Sequence, residues 1–220
     1  MITQSITPEP PVHLFLDFSN ITFGARTAAV RSGDEASRVR LHTENLYRLM
    51  AAGRPVASAT MVANSGVPEA VLAHWRRFFT IVTAESGRDS GLDQAADEML
   101  QNRIFLQLLR PEPPAIIVVA TGDGAGWQRG IGFVPTLIVA RRRGFGIEIL
   151  TFRDQSNPRL LALGNRMGVV VLLDPYYGRI TFLQGLRGAL PVLLHHRPTA
   201  APRPWEPGEL SEQPETGDAA

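Results

Sequence analysis

Two carboxylates in this sequence stand at the ends of runs of apolar residues. Residues 12–16 lead directly to Asp17, and residues 116–120 lead through the turn Thr121-Gly122 to Asp123. A short apolar run without alternation is typical of a strand that is buried on both faces of a parallel sheet. Each carboxylate is therefore expected just beyond the carboxyl end of a central strand, which is where ligands bind in open α/β sheets.

A further pair of carboxylates falls at the start of a predicted helix over residues 90–109. Asp93 lies in its first turn, and Asp97 lies one turn later on the same face. Asp17, Asp93 and Asp123 are then expected at one edge of the sheet, where they would repel one another unless a cation lay among them. Such hard oxygen ligands suit Mg²⁺ or Mn²⁺, which activate water for in-line attack on a phosphodiester.

Other residues near these strand ends are candidates for contact with a substrate. Asn20 can orient a water or a phosphate through its amide, and Thr121 precedes the second carboxylate. Trp127 and Arg129 lie in a glycine-rich loop over residues 125–132, where they can stack on a base or pair with a phosphate. A structural explanation remains open for each acid alone, because a strand-end Asp often forms a turn or caps a helix.

The elements that must position these residues alternate between strand and helix. This alternation predicts right-handed βαβ units and an α/β fold with a doubly wound central parallel sheet flanked by helices. The two strand-end carboxylates become neighbours only if the strand order reverses between them. Residues 21–34 are predicted as a loop with at most a short helix. The predicted strands cover residues 12–16, 55–62, 79–83, 116–120, 147–152 and 169–173, with 180–183 pairing with the last, and the predicted helices cover 39–52, 68–78, 90–109, 133–143 and the stretch from 157.

Length and composition limit the domain organisation. The 220 residues suffice for one domain over residues 12–190, preceded by a flexible lead-in over residues 1–11. Residues 197–220 are rich in Pro and Glu and are predicted to be disordered. The sequence is compatible with a homodimer and with a protein partner that binds this tail.

Charge and apolar content exclude several classes of function. Arg supplies the whole basic side, and the net charge of +1 argues neither for nor against a polyanionic partner. The absence of Cys excludes disulfides and thiolate metal sites. No apolar run approaches the roughly 20 residues that span a bilayer, and residues 1–8 lack the features of a signal peptide, so no membrane association and a cytoplasmic location are expected. The run from Arg141 to Arg143 is predicted to be a solvated helix end.

The glycine-rich turn after residue 120 also raises the possibility of dinucleotide binding. A fingerprint that began at Gly122 and Gly124 would need glycine at position 127, which is Trp127. The sequence also has no Lys for a phosphate-binding loop. A phosphatase or nucleotide-binding enzyme that uses the same sheet edge is a weaker alternative.

Three motifs in order resemble the NYN domains, a branch of the PIN-like nuclease superfamily. Residues 14–20, Leu-Phe-Leu-Asp-Phe-Ser-Asn, look like the opening strand of that family, which ends in Asp-Gly-x-Asn. Residues 90–93, Ser-Gly-Leu-Asp, look like its Lys-Gly-x-Asp helix start. Residues 119–124, Val-Ala-Thr-Gly-Asp-Gly, look like its strand ending in Ser-Gly-Asp-x-Asp-Phe. The similarity in order and spacing extends over residues 12–175.

The resemblance implies a Mg²⁺- or Mn²⁺-dependent ribonuclease that binds RNA. It assigns Asp17, Asp93 and Asp123 as metal ligands and Asn20 as an accessory residue. The family usually has a second Asp two residues after the strand-end one, and that position is Ala125 here. Asp97 can compensate from one helical turn beyond Asp93. The alternative is a catalytically degenerate PIN-like module that binds RNA or a protein partner.

Overall fold

The structure of the chain is a computed structural model that describes residues 9–84, 92–110, 115–122, 132–186, 188, 190 and 197–206. For residues 92–95 it describes the backbone alone. No helix in these ranges is both long and apolar enough to cross a membrane.

Six parallel strands form the centre of the fold, and a two-stranded antiparallel ribbon lies beside them. The strands, numbered along the chain, are β1 (Val12–Asp17), β2 (Val39–Leu41), β3 (Val56–Asn64), β4 (Thr80–Ala84), β5 (Ile116–Ala120), β6 (Gly146–Thr151), β7 (Val169–Leu172) and β8 (Thr181–Leu183). The sheet order is β4-β3-β1-β5-β6-β7, and every neighbouring pair is parallel. The predicted parallel sheet is therefore confirmed, and its strand order reverses between β1 and β5.

Seven α-helices accompany the strands in the described ranges. They are α1 (Phe18–Arg31), α2 (Thr43–Ala51), α3 (Glu69–Trp75), α4 (Leu92–Leu108), α5 (Phe133–Arg142), α6 (Pro158–Met167) and α7 (Tyr177–Ile180). Alternate residues of the central strands enter two cores, because side chains along a strand point to opposite faces. Leu14 and Val118 pack with α1, α2, α3 and α7, whereas Phe15 and Val119 pack with α4, α5 and α6. The sheet is thus doubly wound, with helices on both faces.

The segment after Asp17 is a 14-residue helix, so the prediction of a loop over residues 21–34 was wrong. Glycine disfavours a helix interior, and Gly24 contributed to the loop prediction. In the fold a Cβ at Gly24 would come within 2.6 Å of the Phe152 ring. The glycine therefore permits close packing of α1 instead of ending the helix.

The segment predicted as one helix over residues 39–52 contains two elements. Val39–Leu41 is a strand, and α2 begins at Thr43, because the side chain of His42 accepts a hydrogen bond from the backbone N–H of Asn45 and caps the helix. The short strand β8 pairs with β2 in antiparallel orientation, so its predicted pairing with the last strand of the large sheet was also wrong.

The first residues of the predicted disordered tail pack on the domain. Arg197 is buried and donates hydrogen bonds to the carbonyl oxygens of Leu49 and Met50, each at 2.5 Å. Arg141, predicted to be solvated, is only 1% exposed and donates to the carbonyl oxygens of Arg203 and Pro204. The prediction of disorder therefore fails for residues 197–206, while residues 207–220 lie outside the described ranges.

A buried ion cluster holds this segment against the sheet. Glu148 of β6 is fully buried and accepts hydrogen bonds from both terminal nitrogens of Arg54, at 2.6 and 2.8 Å. Its carboxylate also lies 2.8 Å from Arg197 and accepts the backbone N–H of Ala200 at 2.7 Å. Four donors on one carboxylate thus join the chain before β3, the centre of β6 and the C-terminal segment.

Candidate functional site

Asp17 lies at the point where the strand order of the sheet reverses. It is the last residue of β1, it is 4% exposed, and β5 is its neighbour on one side. One carboxylate oxygen, Oδ1, accepts the backbone N–H of Asn20 at 3.0 Å and so caps α1. The crevice beyond such a reversal is the usual ligand site of doubly wound folds.

Asn20 and Thr121 connect the ends of β1 and β5. The Asn20 side-chain oxygen accepts the backbone N–H of Gly122 at 2.8 Å, and the Thr121 hydroxyl donates to Oδ2 of Asp17 at 3.4 Å. Thr121 was predicted to bind substrate, but it is fully buried. Its buried position allows it to orient the Asp17 carboxylate but does not allow direct contact with a substrate.

Gly122 fits tightly between these groups. A Cβ at this position would lie 2.5 Å from the carbonyl oxygen of Gln155 and 2.7 Å from the Asn20 side-chain oxygen. The close approach requires glycine here, because no other residue lets the backbone pass between the two oxygens. Asp123 follows directly along the chain, at the first position outside the described ranges.

A second buried carboxylate, Asp97, belongs to the same region. It lies on α4, which packs against β1 and β3, and it is 5% exposed. Asp97 and Asp17 line one groove of about 1450 Å³. The structure therefore places two of the acids that the sequence singled out on the lining of one groove.

The remaining predicted site residues fall outside the described parts. The backbone of Asp93 lies in the first turn of α4, but its side chain is not described. Asp123, Trp127 and Arg129 lie outside the described ranges altogether. Within those ranges no group of three or more acids or histidines is close enough to hold a metal ion.

The groove has basic and aromatic residues that the sequence analysis did not single out. The basic residues are Arg26 on α1, Arg40 on β2, His42 at the N-cap of α2, His74 on α3 and Arg77 just after α3. The aromatic ones are Phe18, Phe23, Trp75, Phe78 and Phe182. The sequence offered one signal, the apolar-polar-apolar alternation of Val39, Arg40 and Leu41, which is typical of a strand with an outward-facing Arg. Three residues are too few to distinguish this alternation from helical spacing.

Comparison with known proteins gives similarity in fold alone. No family model and no curated protein matches the chain. Among solved structures, the chain is similar to the crystal structure of a protein of unknown function from Vibrio parahaemolyticus, with a TM-score of 0.55 and 15% sequence identity. The match covers 75% of this chain and 93% of that one. It supports the doubly wound α/β fold described above.

Proposed function

We propose that this protein is a metal-dependent endoribonuclease whose site lies at the carboxyl end of β1. One observation carries the proposal. Asp17 and Asp97, two buried carboxylates from different elements, line the same groove beside the point where the strand order reverses. The crevice beyond such a reversal is the usual ligand site of doubly wound folds, and acidic side chains there can bind a cation.

The donor set of the groove suits a hard divalent cation. Carboxylate oxygens are the ligands that Mg²⁺ and Mn²⁺ prefer, and the chain has no Cys to favour a softer metal. Asp17 and Asp97 would hold the ion, with Asp93 one turn before Asp97 and Asp123 next to Gly122 as further ligands. Such an ion, when bound, supplies charge neutralisation at the phosphodiester and a more acidic water.

The protein residues around Asp17 have a positioning role in this proposal. Asn20 connects the start of α1 to Gly122 by a hydrogen bond, and the Thr121 hydroxyl orients the Asp17 carboxylate by donating to it. With its side-chain oxygen engaged, Asn20 keeps its amide N–H groups as donors for a phosphate oxygen. Resemblance to the NYN domains supports RNA as the substrate.

The test is cleavage of end-labelled RNA with Mn²⁺, with Mg²⁺ and with a chelator. We expect internal cleavage by the wild-type protein with either metal and none with the chelator. Asp17→Asn, Asp97→Asn and Asp123→Asn should each lower the rate at least about a hundredfold, because losing a direct ligand costs more than losing an outer-shell partner. Absence of cleavage by the folded wild-type protein in every condition would overturn the proposal.

A catalytically degenerate PIN-like module is the second candidate. The observation that favours it is Ala125 at the position of the family's second strand-end acid. This candidate predicts that RNA or a protein partner binds equally well with metal and with chelator, and that Asp17→Asn leaves binding unchanged. Cleavage that Asp17→Asn abolishes would reject it.

A further inference from the structure

The groove beside Asp17 contains arginines whose charges have no carboxylate partner in the described part of the chain. Arg26 lies on α1, Arg40 on β2 and Arg77 just after α3. Within the described ranges, Arg40 donates only to the carbonyl oxygens of Ser37 and Val39, and the Arg77 guanidinium lies 5.8 Å from the centre of the Phe78 ring. The positive charge of all three is therefore available to a ligand.

Arginines close to them in the sequence, but outside the groove, are ion-paired. These are Arg31 with Asp154 and Asp174, Arg38 with Glu35, and Arg76 with Glu69. Around these three positions, the neutralised arginines thus lie off the groove and the ones without a carboxylate partner in the described ranges lie in it. An uncompensated basic wall attracts anions, and guanidinium groups match the geometry of phosphate oxygens.

Aromatic side chains in the same groove indicate which polyanion fits. Phe23 is 59% exposed on α1, one helical turn before Arg26, and Phe182 of the ribbon is half-buried. A large apolar ring left exposed beside these arginines offers a stacking face for a base. In duplex RNA the faces of the bases are covered by their neighbours, so only an unpaired strand can use such a surface.

We propose that the groove binds single-stranded RNA, with Arg26, Arg40 and Arg77 on successive phosphates and Phe23 stacked on a base. The strand then passes the Asp17 end of the groove, where the proposed function places the reacting phosphodiester. This inference rests on that function for its choice of RNA. The binding itself requires neither the metal nor cleavage.

The experiment measures binding of a fluorescein-labelled oligouridylate of about twelve nucleotides, a length within the range of single-strand binding sites, by anisotropy in chelator. A series of salt concentrations gives the slope of log K against log salt. Arg77→Ala is compared with Arg76→Ala, its ion-paired neighbour. Arg40→Ala is compared with Arg103→Ala, which removes an exposed charge on α4 outside the groove.

We expect Arg77→Ala and Arg40→Ala each to weaken binding about tenfold and to lower the salt slope by about 0.7, the value for one phosphate contact on a single strand. Phe23→Ala should weaken binding by a similar factor without changing the slope. Arg76→Ala and Arg103→Ala should leave both quantities within about twofold of wild type. A duplex of the same length should compete poorly.

Equal effects of all four arginine variants would overturn the inference, because they would indicate a diffuse electrostatic surface. Binding of duplex as tightly as of single strand, or no binding by the wild type, would overturn it too. The thermal unfolding midpoint of each variant shows whether a loss of binding comes from a loss of folding.

If the wild-type protein cleaves RNA but these variants bind the oligonucleotide normally, the inference fails and the nuclease proposal stands. If the oligonucleotide binds through this groove but is never cleaved, the nuclease fails and the inference stands.

Discussion

Asp17 caps a helix and also belongs to the proposed metal site. Its Oδ1 caps α1 through the backbone N–H of Asn20, while the same group lines the groove with Asp97. The structural explanation that the sequence left open, a helix cap, is therefore correct for Asp17, and it is compatible with the proposed metal site. The two functions can be separated, because capping needs only an acceptor oxygen whereas a cation needs the negative charge.

Replacement of Asp17 by Asn should remove the negative charge and keep the helix cap. Asn is as good an N-cap as Asp, so we expect the free energy of unfolding of Asp17→Asn to stay within about 1 kcal/mol of wild type, while Asp17→Ala loses about 1 kcal/mol more than the Asn variant. Urea unfolding at neutral pH measures both. A collapse of stability in Asp17→Asn would show that the charge itself is structural.

Gly122→Ala should damage both the fold and the site. The new Cβ would collide with the carbonyl oxygen of Gln155 and with Asn20, and the backbone must move away from both. We expect a loss of about 1–3 kcal/mol in the free energy of unfolding, typical of overpacking. Gly66→Ala is the control in the same groove, because nothing lies within 4 Å of its Cβ position. Equal stabilities of the two variants would contradict the tight fit.

At the scale of elements, the ion cluster at β6 makes the free energy of unfolding depend on pH. Burial by itself would raise the pKa of Glu148, but the Arg54 hydrogen bond and the charges of Arg197 and Arg54 outweigh it and hold the pKa below its ordinary value of 4.5. A carboxylate whose pKa is lowered by folding contributes stability above its unfolded pKa. This contribution is lost as the pH falls from about 4.5 through the lower folded value.

Glu148→Gln should therefore destabilise the protein most at neutral pH. Removing the charge leaves two arginines without their buried partner, which costs about 3–5 kcal/mol. The difference from wild type should shrink as the pH falls below about 4.5, because the carboxylate takes up its proton in the unfolded chain first and in the folded protein only at a lower pH. Unfolding free energies over a pH series test this, and a difference that stays constant down to pH 2 would contradict it.

The large strands and most helices were predictable from the sequence, and the short elements were not. The run over residues 116–120 is apolar at every position because β5 is buried on both faces, which leaves no other assignment for so short a segment. The three-residue strands β2 and β8 have too few positions for a period to be recognised. Their pairing is decided by tertiary contacts, which a local pattern does not contain.

The packing of the C-terminal segment was hidden for a different reason. Its Pro-rich composition resembles that of disordered chains, because it contains few apolar residues that could form a core. It is held by Arg197 in the Glu148 cluster and by Trp205, which packs against the core and whose ring centre lies 5.7 Å from the guanidinium carbons of Arg141 and Arg142. Such contacts depend on partners far away in the sequence.

At the scale of the whole molecule, the sheet topology assembles the site. Asp17 and the residues after β5 are neighbours because the strand order reverses between β1 and β5. This reversal is the condition under which the sequence predicts that the two strand-end carboxylates lie near each other. Asp97 lies on α4, which packs against β1 and β3, and lines the same groove. The basic and aromatic wall was not predictable, since it joins α1, the ribbon and α3 in three dimensions only.

Metal binding should stabilise the whole fold, because the ligands come from different elements. At about 100 times its dissociation constant, Mn²⁺ should add roughly 2.7 kcal/mol and raise the thermal midpoint by about 5–10 °C. Asp17→Asn and Asp97→Asn should abolish the shift. Asp154→Asn, at a surface pair with Arg31, is the control that should retain it. An equal shift in all variants would indicate binding elsewhere.

The measurement that tests the central claim most directly is the cleavage rate of single-stranded RNA by wild type, Asp17→Asn and Asp154→Asn, each with Mn²⁺ and with chelator. We predict metal-dependent cleavage by wild type and Asp154→Asn at similar rates, and a rate at least about a hundredfold lower for a folded Asp17→Asn. Cleavage by Asp17→Asn at the wild-type rate, or no cleavage by wild type, would contradict the assignment of this groove as a nuclease site.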